Sequence, residues 1–172
     1  MIWPDWKIEQ AAEAEKLPLI WPFRKSQLCP ASYDLALGPN LLIEVADTDE
    51  LQPFSIADRT KERPYWLEPG HFVLAETEEM LSLPSHVVGE FKLKSSRARE
   101  GMNHALAGYI DPSYMGRLTL ELKNVRRFHA LPLYPGLLIG QCIFTQLLGC
   151  PLKDYKETGR YNGDLKVTAS KG

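Results

Sequence analysis

The chain has 172 residues, of which 44% are hydrophobic, enough for one compact domain around a sizeable core. Twenty basic residues against 22 acidic leave a formal net charge of −2, so there is no general basic field to hold a nucleic-acid backbone, and a polymeric DNA or RNA partner is not expected. Cys29, Cys142 and Cys150 are odd in number and lie far apart or in apolar runs, which suggests reduced thiols rather than a disulfide framework or a metal knuckle.

The N-terminus opens on Trp3, Pro4, Asp5 and Trp6 without an apolar leader, and no stretch approaches the about 20 apolar residues that span a bilayer. A cytoplasmic protein with no membrane partner is the expectation. The Ala- and Glu-rich segment Lys7–Lys16 reads as a helix. Thirteen prolines and twelve glycines then cut the chain into short pieces and argue against further long helices. Strand character follows at Tyr33–Leu37, Asn40–Glu44, Trp66–Leu67, His71–Glu76, Val87–Leu93, Arg117–Lys123, Leu131–Leu133 and Leu137–Leu147, with turn signals at Gly38-Pro39, Pro69-Gly70 and Pro135-Gly136. Ser95–Glu100 reads as a serine-capped helix start. The polar, glycine-bearing stretch Lys153–Gly172 reads as a mobile tail. The sum is a mainly all-β domain, a barrel or sandwich with a few short helices.

Four segments could carry chemistry. Lys92, Lys94, Ser95, Ser96, Arg97 and Arg99 gather cations and hydroxyls at a helix start, which favours an anion such as phosphate, although a solvated basic turn has the same spacing. The bend from Ala107 to Tyr114 sets Asp111 between Tyr109 and Tyr114, where it could grip a sugar hydroxyl or simply initiate a turn before Pro112. From Arg117 to Lys123, Leu118, Leu120 and Leu122 share one face and Thr119, Glu121 and Lys123 the other, so Glu121 is either a solvent-facing strand residue or the carboxylate of a pocket. Tyr155, Arg160, Tyr161 and Asn162 give the tail rings and hydrogen-bonding groups, suited to closing over a ligand or to fraying. His71, His86, His104 and His129 occupy no metal-ligand spacing, and the H-x-E with P-C-x-x-C signature of zinc deaminases is missing. A deaminase built on this sequence would work without zinc.

In order along the chain, Pro30-Ala31-Ser32-Tyr33-Asp34-Leu35, Tyr65 to Gly70, Leu83-Pro84, Lys94 to Arg99, Ala107 to Asp111, Leu120-Glu121-Leu122 and Pro135 to Gln141 resemble the dCTP deaminase branch of the dUTPase-like superfamily. The resemblance implies a distorted β-barrel of the dUTPase-like type over residues 1–152, a tail over 153–172 that closes on the nucleotide, and a homotrimer with shared active sites. It implies that Glu121, Ser95 and Arg99 are catalytic, and that Lys94, Ser96, Arg97, Ala107, Asp111, Thr119, Gln141, Tyr155, Arg160 and Asp164 bind dCTP. Asp111 would hold the sugar 3′-hydroxyl, and backbone groups near Ala107 and Thr119 would read the cytosine edge. Mg²⁺ would arrive on the triphosphate. Gly108 and Tyr109, with Lys94 and Gln141, resemble the group that goes on to dUMP and diphosphate. Alternatives are a dUTP-forming deaminase, a dUTPase and a non-catalytic nucleotide-binding module. The chain departs from the family pattern at Leu93, Leu106, Arg97, Arg160 and Asp164; an acidic Asp164 would repel phosphate, and Leu106 bears on feedback by dTTP.

Overall fold

The computed structural model describes residues 1–105, 107–153 and 155–172, with Thr158 described by its backbone only. Leu106 and the tail residue Asp154 therefore lie outside the described residues. Among the described residues the chain runs α1 (Asp5–Ala12), β1 (Ile20–Trp21), a 3₁₀ turn (Lys25–Gln27), β2 (Leu28–Cys29), β3 (Ser32–Ile43), β4 (Gln52–Ser55), β5 (Tyr65–Leu67), β6 (Phe72–Ser82), β7 (Val87–Leu93), α2 (Ser95–Glu100), β8 (Met102–His104), β9 (Tyr109–Ile110), β10 (Met115–Asn124), β11 (Leu131–Leu133), β12 (Leu138–Gln146) and α3 (Tyr155–Thr158). The architecture is mainly β with short helices, as expected.

The long strand β3 joins two halves of one curled sheet. Tyr33–Ala36 pair with β12, whereas Leu37 and Leu41–Ile43 pair with β6. The full order is β8-β10-β6-β3-β12-β7-β9. Its two ends meet through the connection between β8 and β9. There the Ala105 N–H donates to Glu121 O on β10 (3.3 Å), while the Phe91 N–H of β7 donates to Gly108 O (2.7 Å). This connection closes the distorted barrel. Inside lie Leu35, Leu37, Ile56, Leu67, Leu81, Leu120 and Phe144, all fully buried. A small β5–β11 pair lies outside that sheet.

Several local expectations change. α1 starts at Asp5 and stops at Ala12, the last of the residues, Ile8, Ala11 and Ala12, that it packs on the core. Beyond them Glu13, Glu15 and Lys16 offer no apolar face, and acidic residues oppose the negative C-terminal end of a helix. Gly38-Pro39 does not separate two strands. β3 runs through it with a register shift between Leu37 and Leu41, and a strand irregularity accommodates a proline that has no N–H to donate. Ser95 is not a cap: it is the first residue of α2, and Lys94 occupies the cap position without a side-chain capping bond. β1, β2, β4, β8 and β9 were not expected; none exceeds four residues, too short for an alternation to be read.

Candidate active site

A cavity of about 530 Å³ opens against the outer face of β10. Leu118, Leu120 and Leu122 are buried and Thr119 and Glu121 only partly so, and Leu118, Thr119, Leu120 and Glu121 all border the cavity. The same wall carries Ala107, Gly108, Tyr109 and Asp111 from the barrel-closing connection and the turn after it, and Tyr155 and Asp164 from the C-terminal segment.

Glu121 does not face bulk water. Its side chain is 27% exposed, and its Oε2 lies 3.5 Å from Nε2 of His104, brought alongside by the antiparallel pairing of Leu122 with His104. Both atoms are buried and neither has a hydrogen-bond partner. Burial pushes the Glu121 carboxyl above the usual carboxylate range and holds the His104 imidazole below the usual histidine range. Each shift favours the neutral form, so the pair resembles a carboxyl that holds its proton more readily beside a neutral ring more than an ion pair. His104 is also packed against Phe91, with ring centroids 4.7 Å apart. The sequence gives no sign of this histidine, because β8 is three residues long.

Asp111 lies at the cavity edge, and burial raises its pKa as well. The Tyr114 N–H donates to Asp111 O (3.2 Å), and Ser113 adopts φ 66°, a left-handed backbone uncommon outside glycine. Tyr114 is thereby turned inward, its hydroxyl donating to Arg117 O (2.6 Å) and its ring 6.1 Å from that of Tyr155. Gly108 has a packing reason of its own: a Cβ there would stand 2.3 Å from Phe91 O.

The C-terminal segment read as a tail is docked along this wall. The Gly163 N–H donates to Met115 O (2.7 Å), the Arg117 N–H to Asp164 O (2.8 Å), and the Thr168 N–H to Thr119 Oγ1 (3.2 Å). Thr168 and Ser170, which sequence reading passed over, line the cavity with Glu121. Asp164 is not an unpaired charge: Lys171 Nζ donates to both of its oxygens, at 2.8 and 3.1 Å.

The remaining expected site residues lie elsewhere. Lys94, Ser95, Ser96, Arg97, Arg99, Gln141 and Arg160 do not line the cavity. Lys94 pairs with Asp34, and Ser32 Oγ donates to Gln141 Oε1 (2.9 Å), so these four form a polar cluster where β3, β12 and the start of α2 meet. Ser95, Ser96 and Arg99 are exposed on α2. Arg97 turns the other way, bonded to Glu100 (2.8 Å), in a separate cleft with Trp66 and Arg126. Arg160 is exposed, and its carbonyl accepts a bond from Lys171 Nζ (2.8 Å).

Residues 2–147 match the model of the dCTP deaminase-like family. The chain belongs to that family. It is similar to a protein from Leifsonia xyli named dCTP deaminase, dUMP-forming, with 35% identity over 99% of this chain and 90% of the relative. A Mycobacterium marinum protein of the same name is 39% identical over 87% of this chain and 85% of its own. Among solved structures, a 2′-deoxycytidine 5′-triphosphate deaminase from Agrobacterium tumefaciens superimposes with a TM-score of 0.67 at 22% identity, covering 83% of this chain and 46% of that one, a likeness of fold. As a member of this family the chain has a mainly β fold that matches the architecture implied by its sequence strings. Among the described residues no group of three His, Cys, Asp or Glu side chains converges as a metal site, and no helix is long and apolar enough to cross a membrane.

Proposed function

We propose that this protein deaminates dCTP and carries the product on to dUMP and diphosphate, with Glu121 as the group that moves the proton. The observation that carries this reading is the half-buried Glu121 carboxyl, raised in pKa, at the wall of a cavity large enough for a pyrimidine and its sugar. Deamination forms a bond from water oxygen to carbon 4 of cytosine and breaks the bond from carbon 4 to the exocyclic nitrogen. One water proton must leave, ring nitrogen 3 must gain one, and ammonia must depart. Glu121 accepts the proton from water and returns it, a task that suits a carboxyl whose hold on the proton is strengthened by burial. His104, neutral and pressed against Phe91, keeps that carboxyl desolvated and in place.

Asp111 holds the sugar hydroxyl, and Tyr155 covers the sugar side. Release of dUMP and diphosphate consumes a second water at the phosphate chain, and the relatives named for that product support this reading.

The phosphate-side residues Lys94, Ser95, Ser96, Arg99 and Gln141 lie outside the Glu121 cavity. A homotrimer resolves this: one protomer supplies the base and sugar pocket, and a neighbour supplies Ser95 and Arg99 to orient the water and the phosphate-binding cations. Mg²⁺ would arrive on the triphosphate. Asp34, whose Oδ1 is buried without a partner beside Lys94, is the acid that would face that ion. When bound, the ion offsets phosphate charge.

The test is product analysis on dCTP and dUTP separately, alongside Glu121→Gln. The expected result is conversion of dCTP to dUMP, diphosphate and ammonia, abolished in the variant while dCTP binding persists. Intact dCTP after exhaustive incubation overturns the proposal, and dUTP as end product overturns its second half.

A further inference from the structure

We infer that Glu76 is a positioning residue of the nucleotide site, seating the C-terminal segment so that Thr168 and Ser170 form a wall of the Glu121 cavity. This rests on the reading of that cavity as the nucleotide pocket.

Glu76 is 1% exposed on β6, directly across from Thr119 on β10. Burying a carboxyl group is costly unless its oxygens find donors. Two buried acids of the same strand solve this differently. Glu79 is satisfied within the barrel: the Gln27 side-chain amide donates to Oε1 (2.7 Å) and the Ala36 N–H to Oε2 (2.9 Å). Among the described residues Glu76 receives one bond from the barrel, from Asn40 Nδ2 to Oε1 (2.6 Å). Its Oε2 is satisfied by the Val167 N–H of the C-terminal segment (2.9 Å). The barrel therefore holds a buried acceptor that is complete only when the segment is docked.

The neighbouring contacts make that docking specific. The next amide, of Thr168, donates to Thr119 Oγ1, so two successive N–H groups land on the cross-strand pair Glu76 and Thr119. The barrel also makes room for the arrangement. A Cβ on Gly38 would lie 2.6 Å from Glu76 Cγ, and one on Gly116 would lie 2.7 Å from Asp164 O. Thr168 and Ser170 follow directly from the seated amide and line the cavity that Glu121 lines. The seat thus fixes where their hydroxyls stand relative to the nucleotide.

Two substitutions test this from opposite sides in the full-length protein. Glu76→Met keeps the length of the side chain and removes both acceptors. Val167→Pro removes the donating N–H on the segment itself, where the change of side chain and φ is confined, and leaves the barrel core untouched. Hydrogen exchange of residues 163–170 in the ligand-free protein is expected to quicken by about tenfold in both, the effect of losing one buried hydrogen bond to a charged group. Calorimetric binding of dCTP, read in a Glu121→Gln background, is expected to weaken by a similar factor, and in the catalytically intact background KM should rise while kcat stays within about twofold. Unchanged exchange in both variants overturns the seat, whatever the enzyme's activity. Faster exchange with unchanged dCTP affinity overturns the positioning role. Absence of turnover in the unsubstituted protein would count against the deaminase reading alone, since exchange and binding are read without it.

Discussion

His104 Nε2 stands 3.5 Å from Glu121 Oε2, two buried polar atoms facing each other with no hydrogen bond between them. The pair is set by the β8–β10 register and by Phe91 behind the imidazole. Its consequence for rate is a dependence on Glu121 being ionised. The kcat/KM profile for dCTP should have an acid limb with its midpoint above 4.5, the ordinary value for glutamate, because burial raises this carboxyl. Glu121→Gln should lower kcat by about 10²–10⁴-fold and abolish that limb. A limb at or below the ordinary value would contradict the desolvated environment.

The same shifts affect stability, with opposite signs. Folded Glu121 holds its proton more tightly than the unfolded chain does, so its stabilising contribution is present below pH 4.5 and is lost as pH rises through the raised value. His104 is lowered, so its contribution is present above 6.5 and lost as pH falls through the depressed value. Glu121→Gln should therefore match the parent in unfolding midpoint under acid conditions and exceed it increasingly toward neutral pH. Urea denaturation across pH 4–8 reads this directly. A difference that is constant with pH would contradict the assigned shift.

Much of the barrel was legible because its longer strands carry a two-residue alternation. Leu118, Leu120 and Leu122 against Thr119 and Glu121 is the clearest case, and the structure buries the first set and leaves the second partly exposed, although Leu118 and Leu120 also border the cavity. His104 was illegible for a physical reason: a three-residue strand shows no period, and its partner is set by a pairing remote in sequence. Glu76 was read as an ordinary strand residue, since nothing local signals that its second oxygen is met by Val167, 91 residues away. Family strings supplied residues such as Lys94 and Gln141, but not the fact that in one chain they stand apart from Glu121.

That separation makes a prediction about chains in mixture. A Ser95→Ala protein and a Glu121→Gln protein should each be nearly inactive, since the proposed function gives Ser95 the orientation of the water and Glu121 the transfer of the proton. If a site takes Glu121 from one protomer and Ser95 from its neighbour, co-refolding equal amounts restores intact sites at about one quarter of the parent number, by random assortment in a cyclic oligomer. Steady-state dCTP turnover of the mixture reads the fraction. No recovery above the sum of the two parents would show that both residues act within one chain.

Gly108 offers a test of how tightly the barrel closes. Its carbonyl accepts the Phe91 N–H, and a Cβ would stand 2.3 Å from the Phe91 carbonyl oxygen, which is backbone and cannot swing aside. Gly108→Ala should cost about 1–3 kcal/mol, as an added methyl in a packed site does, and should loosen the connection that carries Ala107 into the cavity. The midpoint of urea unfolding and the dCTP KM should move together. A variant as stable as the parent would mean that β7 and the connection can separate freely.

The last relationship concerns charge in the C-terminal segment. Lys171 donates to both Asp164 oxygens and lies 5.1 Å from the centre of the Tyr161 ring, folding the segment back on itself. Lys171→Met would leave Asp164 uncompensated beside a polyanionic substrate. Because the Lys171 side chain is 38% exposed, solvent screens part of the effect, and KM for dCTP should rise only about two- to fivefold, more at low salt than at high. Adding Asp164→Asn to Lys171→Met removes the repelling charge, so KM should return toward the parent value. If the double variant binds as poorly as the single one, Lys171 acts by holding the segment's shape through Tyr161 and Arg160 rather than by cancelling the charge of Asp164.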